Sequence, residues 1–192
     1  THMFMHGGFA HILFNMLTLW SFGPVLEQAL GEKKYLILYF LSGLGAFFLF
    51  NLWNFFEVQQ LTSALTNANI NVADIFIKAD LSRFKFNPDA YANNEDAYNL
   101  YMSLTSPMVG ASGAIFGVVA AFATLYPDAK IGIMFIPIPM KVKYLLPIIV
   151  VGSVWLGISG HIGGIAHLAH VGGALVGWIL AKIWKKHLYR FN

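Results

Sequence analysis

The chain has 192 residues, of which 57% are hydrophobic and only 11% are charged, and it contains no cysteine. Charged residues make up about 25% of an ordinary soluble domain, so this composition excludes a conventional soluble protein and predicts a polytopic membrane protein. The net charge of +3 does not indicate nucleic-acid binding, because the lysines lie at the ends of apolar segments rather than in a basic stripe. The lack of cysteine excludes a disulfide framework and a cysteine nucleophile.

Apolar segments long enough for membrane-spanning helices follow one another along the chain. A hydrocarbon layer of about 30 Å requires about 20 apolar helical residues. We expect spans over residues 9–26, 35–56, 107–126, 144–158 and 163–184. The fourth is short, and the stretch GIMFIPIPMKVKY before it is expected to be interfacial or partly re-entrant. The predicted fold is an all-α helical membrane bundle, a single domain over residues 1–192.

A polar segment, residues 57–106, separates the second and third spans and carries six acidic and three basic residues. We expect an extended solvent-facing loop, either without regular structure or with short helices of its own, and loops of this length are usually functional or mobile. If the five spans alternate in direction, nine basic residues fall on one side of the membrane, namely Lys33, Lys34, Lys130, Lys141, Lys143, Lys182, Lys185, Lys186 and Arg190. The positive-inside rule makes that side the cytoplasm. The predicted location is the cell membrane, with the C-terminus cytoplasmic, the polar loop outside, and a further transmembrane helix preceding the first span.

Five polar side chains lie inside the predicted spans, where strongly hydrogen-bonding groups are costly and by default indicate function. His11 and Asn15 are four residues apart on the first span, and His167 and His170 are three apart on the last. Ser112 lies on the third span. Residues at these spacings share a helix face. By the alternation of the spans, all five lie at a similar depth near the outer membrane face.

Glycines surround these polar residues. Gly110, Gly113 and Gly117 flank Ser112, and Gly173 and Gly177 follow His170. Facing small residues allow two helices to approach closely, and a serine within reach of a histidine forms a nucleophile and its general base. The Ser112 amide, Asn15 and His11 are candidate donors to an oxyanion. The alternatives are a serine bonded to its own helix backbone and glycines that serve helix packing alone.

Three motifs resemble those of the rhomboid intramembrane serine proteases. HGGFAHILFN is similar to their HxxxN signature, GASG to their GxSG nucleophile motif, and AHVGGALVG to the AHxxGxxxG of their last helix. The likeness covers nearly the whole chain apart from residues 57–106. It implies a rhomboid-like bundle with five of six expected transmembrane helices visible.

The resemblance implies a role for each matching residue. Ser112 is the expected nucleophile and His170 the expected general base, with His11 and Asn15 stabilising the oxyanion. Phe116 is expected to stack on the base, and His167 to be accessory at the water-access mouth. Gly110 and Gly113 belong to the nucleophile motif. No metal or cofactor is implied, and the expected partners are the lipid bilayer and transmembrane protein substrates, whereas the oligomeric state stays undetermined.

The expected function is therefore a serine endopeptidase that cleaves transmembrane helices near the outer membrane face by a Ser–His dyad. One alternative is a catalytically inactive relative that binds transmembrane helices. Another is a metal or proton transporter that uses His6, His11, His167 and His170. The chain has no HExxH pair and no intramembrane carboxylate partner that would mark a zinc or proton path.

Overall fold

A computed structural model describes residues 2–81, 91, 93–133, 136–158 and 164–188. The described helices are α1 (Phe9–Leu30), α2 (Glu32–Asn67), α3 (Val72–Leu81), α4 (Glu95–Thr105), α5 (Ser112–Leu125), α6 (Val142–Ile158) and α7 (Gly164–Leu188). A 3₁₀ turn (His2–Phe4) precedes them, and the strands β1 (Lys130–Ile133) and β2 (Ile136–Lys141) lie between α5 and α6. Each predicted span coincides with one helix, α1, α2, α5, α6 or α7, which confirms the all-α membrane fold.

By length and composition, α1 and α2 are long and apolar enough to cross a membrane. Two shorter apolar helices, Ser112–Leu125 and Val142–Gly152, were found among the described residues. Several large apolar side chains on these elements point outward, including Trp20, Phe48 and Trp155. Outward apolar side chains are expected where a helix faces lipid, because lipid tails are as apolar as the side chains themselves.

The chain divides into two compact units. The first, here called the bundle unit, comprises Thr1–Phe50 and Met108–Asn192, and the second, here called the insert unit, comprises Asn51–Pro107. The sequence predicted a single domain with an extended loop over residues 57–106. This segment forms most of the insert unit and contains α3, α4 and the end of α2.

A hydrophobic core in the bundle unit joins four helices. It contains Leu26 and Leu30 of α1, Leu38 of α2, Val118, Ala121 and Leu125 of α5, and Ala181 of α7. The tight corner between α1 and α2 is made by Gly31, which has φ +80° and donates its N–H to the Glu27 carbonyl at 2.8 Å. Glycine adopts this left-handed conformation without steric cost, so α2 turns back directly against α1.

The insert unit has a core of its own. It consists of Leu65 from the second half of α2, Ile75 from α3, and Ala97, Leu100 and Tyr101 from α4. The two short helices are capped by asparagine side chains that accept backbone hydrogen bonds, Asn71 from the Ala73 N–H at 3.2 Å and Asn94 from the Ala97 N–H at 2.9 Å. Such caps satisfy amide groups that a helix start leaves unpaired. This polar segment therefore folds into a small helical unit, and its polar residues form a solvated surface.

The stretch expected to be interfacial or re-entrant forms an antiparallel hairpin. Lys130 lies opposite Lys141 and Ile131 opposite Met140, with an irregularity in register between Ile131 and Ile133. Paired strands satisfy each other's backbone groups, which suits a segment at the edge of a membrane. The chain then enters α6 directly, because β2 ends at Lys141 and α6 begins at Val142.

Candidate active site

Ser112 and His170 form a hydrogen-bonded pair across two helices. Ser112 is the first residue of α5 and His170 lies on α7, and Ser112 Oγ is 2.9 Å from His170 Nε2. When Nε2 is unprotonated, the serine hydroxyl donates this bond, which is the geometry a general base needs to take the hydroxyl proton. Both residues are partly buried, so the pair is shielded but reachable.

Close packing of α5 on α7 makes this distance possible. A Cβ added to Gly173 would collide with the Gly113 carbonyl, and one added to Gly177 would collide with the Gly117 carbonyl. The backbones therefore touch at two successive turns, as small-residue faces allow. Any side chain at these positions would move α7 away from α5 and lengthen the distance between Ser112 and His170.

Helix α2 contributes a third small-residue face that the sequence reading did not identify. Ser42 and Ala46 are fully buried, and they occupy the space where side chains at Gly117 and Gly113 would otherwise be. Gly45 packs in the same way against Val176. The signal that would have found this face is the run SGLGA at residues 42–46 of the second span.

Phe116 lies one turn after Ser112 and stacks on His170. The ring centroids are 4.2 Å apart and the planes are 3° from parallel. A parallel aromatic contact restricts rotation of the imidazole ring, so Nε2 stays directed at Ser112 Oγ. The structure thus brings Phe116 to the place that the resemblance implied for it.

His11 presents a hydrogen-bond donor to the loop that precedes Ser112. The Gly7 N–H donates to His11 Nδ1 at 3.3 Å, and a neutral imidazole with Nδ1 as acceptor carries its proton on Nε2. A Cβ built on Gly110 would lie 2.7 Å from His11 Nε2. The imidazole thus lies against this loop with Nε2 next to Gly110.

Asn15 supplies a second donor at the same loop. A Cβ built on Gly110 would lie 3.7 Å from Asn15 Nδ2. Asn15 is 7% exposed, and among the described residues its Nδ2 has no hydrogen-bond partner. A buried amide donor without a partner costs free energy. At a functional site this cost is accounted for when an atom of the reacting substrate becomes the partner of the donor.

The loop itself is held by the turn at the start of the chain. Gly110 has φ +110°, and its N–H donates to the His2 carbonyl at 3.0 Å. The His2 ring stacks on Phe47, with centroids 5.4 Å apart. The sequence reading assigned no role to His2, whose position in the chain carries no visible signal. Contacts between distant segments place it beside the Gly110 loop.

A cavity of about 440 Å³ opens beside Ser112. Its lining includes Asn15, Ser112 and Phe116 and also Ile131 and Val142, and the remaining wall is mostly apolar side chains of α1, α5 and α6. The space suits an apolar chain segment and leaves its polar backbone atoms close to the Ser112 hydroxyl.

The remaining candidate residues are histidines outside the Ser112–His170 pair. The His6 ring lies edge-on to His11, with centroids 5.2 Å apart. His167 falls on the backbone of α7, but its side chain lies outside the described part of the structure, and so does His161. Within the described ranges, no group of three or more His, Cys, Asp or Glu residues is placed to hold a metal ion.

Comparison with known proteins identifies the family. A family model described as the Rhomboid domain matches residues 1–62 and 81–187. The chain belongs to the rhomboid family. It is 29% identical to Rhomboid protein 1, mitochondrial, of Saccharomyces cerevisiae, over 97% of this chain and 42% of that protein. It is 26% identical to Rhomboid protease AarA of Providencia stuartii, over 93% of this chain and 52% of that protein.

A third relative is Presenilin-associated rhomboid-like protein A, mitochondrial, of Danio rerio, which is 27% identical over 95% of this chain and 37% of that protein. This rhomboid chain thus spans between about two fifths and half of the length of the relatives it matches. No solved structure matches it significantly. Family membership agrees with the resemblance in the three motifs and makes the chain a membrane protein of the rhomboid family.

Proposed function

We propose that this rhomboid protein is an intramembrane serine endopeptidase in which Ser112 is the nucleophile and His170 the general base. The observation that carries the proposal is the 2.9 Å separation of Ser112 Oγ and His170 Nε2 inside a helical membrane bundle. A serine and histidine at this distance activate the hydroxyl without a metal or cofactor. The protease named among the relatives supports a proteolytic role.

The reaction begins when Ser112 Oγ attacks the scissile carbonyl and His170 Nε2 takes the hydroxyl proton. Negative charge then develops on the carbonyl oxygen, where His11, Asn15 and the Ser112 backbone N–H donate hydrogen bonds. His170 returns the proton to the leaving amine, and an acyl-enzyme on Ser112 remains. A water molecule, deprotonated by His170, hydrolyses this ester and restores the enzyme.

The substrate class follows from the cavity and from the surroundings of the pair. The wall beside Ser112 is mostly apolar, which suits a segment of a transmembrane protein. A helix hides its carbonyl groups in internal hydrogen bonds, so the segment must unwind at the cleaved bond. We therefore propose substrates with small or helix-breaking residues at that point.

The proposed topology is a multi-pass protein with the Ser112–His170 pair near one membrane face and the lysine-rich helix ends at the other. Ser112 begins α5, whereas Lys185 near the end of α7 donates to the Thr124 carbonyl at the far end of α5, at 2.9 Å. The positive-inside rule places the lysine-rich end in the cytoplasm or its equivalent. Because relatives include proteins named mitochondrial, the choice between the cell membrane and a mitochondrial membrane is part of the proposal.

The test is labelling by a fluorophosphonate probe combined with cleavage of a model transmembrane substrate. Wild type is compared with Ser112→Ala, with His170→Ala, and with Ser63→Ala as a matched control, because Ser63 is an exposed serine whose hydroxyl bonds its own helix backbone. We expect labelling and cleavage in wild type and Ser63→Ala and neither in the two site variants. Cleavage by Ser112→Ala would refute the proposal, and a wild type that binds transmembrane helices without labelling would favour the inactive alternative.

A further inference from the structure

Three lysines and one carboxylate meet where the β1–β2 hairpin joins the helices. Asp128 Oδ1 accepts hydrogen bonds from Lys141 Nζ at 3.0 Å and from Lys143 Nζ at 2.8 Å. Lys130 lies directly opposite Lys141 in the strand register. These four residues, Asp128, Lys130, Lys141 and Lys143, are here called the hairpin base.

The hairpin base has an excess of positive charge. It contains three ammonium groups and one carboxylate, which pairs with Lys141 and Lys143, and among the described residues no carboxylate pairs with the exposed Lys130. Like charges directly opposite each other on paired strands destabilise the pairing. An additional anion bound between Lys130 and Lys141 would remove this repulsion.

The surface next to the hairpin base indicates where that anion comes from. Helix α6 begins at Val142, between Lys141 and Lys143 of the hairpin base. Its exposed side chains include Tyr144, Ile148, Val151 and Trp155, which are apolar or aromatic. Such a surface faces lipid. Lys143 Nζ lies over the Tyr144 ring, 5.4 Å from its centroid. Tyrosine is typical of the membrane interface. The ammonium groups therefore lie at the level of the lipid headgroups.

We propose that the hairpin base binds the phosphate group of an anionic phospholipid of the surrounding bilayer. Lys130 and Lys141 contact the phosphate, while Asp128 holds Lys143 and restrains Lys141. Because Ile131 and Val142, next to the hairpin base in the chain, line the cavity beside Ser112, the bound lipid also steadies that part of the cavity wall. Lipid binding is measured without any cleavage, so its outcome is independent of the proposed protease function.

The experiment measures thermal unfolding of the full chain in nanodiscs of phosphatidylcholine in which the mole fraction of phosphatidylglycerol with the same acyl chains is increased. We expect the apparent Tm of wild type to rise and to saturate. Each lysine near a charged membrane surface contributes about fivefold to lipid affinity, so Lys130→Gln should need about five times more anionic lipid for half of the shift. Lys130→Gln/Lys141→Gln should need more still, and Asp128→Asn less than wild type, because it raises the positive charge.

The matched control is Lys33→Gln/Lys34→Gln, which removes two charges at the start of α2 and so measures the loss common to basic residues near the membrane surface; its loss should be smaller than that of Lys130→Gln/Lys141→Gln. Equal responses of wild type and Lys130→Gln/Lys141→Gln, or an equal loss in the control, would overturn the proposal. So would an equal Tm rise with soluble glycerol phosphate, which would indicate a free-phosphate site. If the double variant does not fold, Lys130→Gln decides, because Lys130 is exposed and outside the Asp128 ion pairs.

Discussion

Replacing Asn15 by alanine distinguishes transition-state stabilisation from fold stability. Asn15 Nδ2 is buried and has no partner among the described residues, yet it lies beside the Gly110 loop that precedes Ser112. In the proposed reaction its hydrogen bond forms only when the carbonyl oxygen becomes charged. Asn15→Ala therefore removes a hydrogen bond of the transition state, whereas in the resting protein this amide nitrogen has no partner among the described residues.

The expected size follows from that geometry. Loss of one oxyanion donor lowers kcat by about 10²–10³, or about 2.7–4 kcal/mol, and KM should change little because the ground state does not use the bond. An unsatisfied buried donor costs about 1–3 kcal/mol, and its removal offsets the packing lost on truncation. The free energy of unfolding of Asn15→Ala should therefore stay within about 1 kcal/mol of wild type.

The assay pairs steady-state cleavage of a fluorogenic transmembrane substrate in liposomes with unfolding of the same preparations. The control is Asn54→Ala in the insert unit, because Asn54 Oδ1 is likewise buried without a partner among the described residues. Asn54→Ala should retain the wild-type kcat. Wild-type kcat in Asn15→Ala, or a loss of rate that only parallels a loss of stability, would refute the reasoning.

Three further predictions concern packing, the stacked ring and the hairpin base. Gly173→Ala should lower the free energy of unfolding by about 1–3 kcal/mol or more, because the added methyl group overpacks against Gly113, and it should abolish probe labelling of Ser112. A Cβ at Gly152 meets nothing within 4 Å, so Gly152→Ala should be neutral or stabilising in the same unfolding assay. Phe116→Leu should lower kcat by about 2–10-fold, which corresponds to the loss of a ring contact of about 0.5–1.5 kcal/mol. The control Phe48→Leu, at a lipid-facing position, should leave kcat unchanged. Equal rates in both variants would contradict the role of Phe116 in positioning His170. Hydrogen bonds from Lys143 and Lys141 lower the pKa of Asp128 to about 2. The folded-state pKa is thus below the unfolded value of about 3.9. Asp128 therefore contributes stability that is complete above about pH 4 and is lost as the pH falls towards 2. The free energy of unfolding measured against pH should show this loss in wild type and lack it in Asp128→Asn.

The insert unit illustrates a limit of reading polarity from sequence. Residues 57–106 are rich in Asn, Asp and Ala, which favours a loop when the segment is compared with membrane spans on either side. Yet Leu65, Ile75 and Leu100 meet in one core. These three residues are far apart in the chain, so only the folded backbone shows that they share a small hydrophobic interior.

Sequence alone determined the properties that depend on local chemistry. Apolar runs of span length predicted the five membrane helices, because a bilayer accepts only segments whose backbone groups bond internally. Helical spacing placed His11 with Asn15 on one face, and the cost of polar groups in hydrocarbon singled out Ser112 and His170. Their pairing was expected from the motifs, and the 2.9 Å separation agrees with it.

Tertiary structure alone decided the features that depend on contacts between distant segments. Three such features join residues from separate parts of the chain. They are the small-residue face of Ser42 and Ala46, the hydrogen bond between Gly110 and the His2 carbonyl, and the excess positive charge of the hairpin base. Helical and strand periods specify which residues share a face of one element, but not which face of another element they meet. That choice is made by close packing of whole helices, where a single added methyl group at Gly173 would change the geometry of Ser112 and His170.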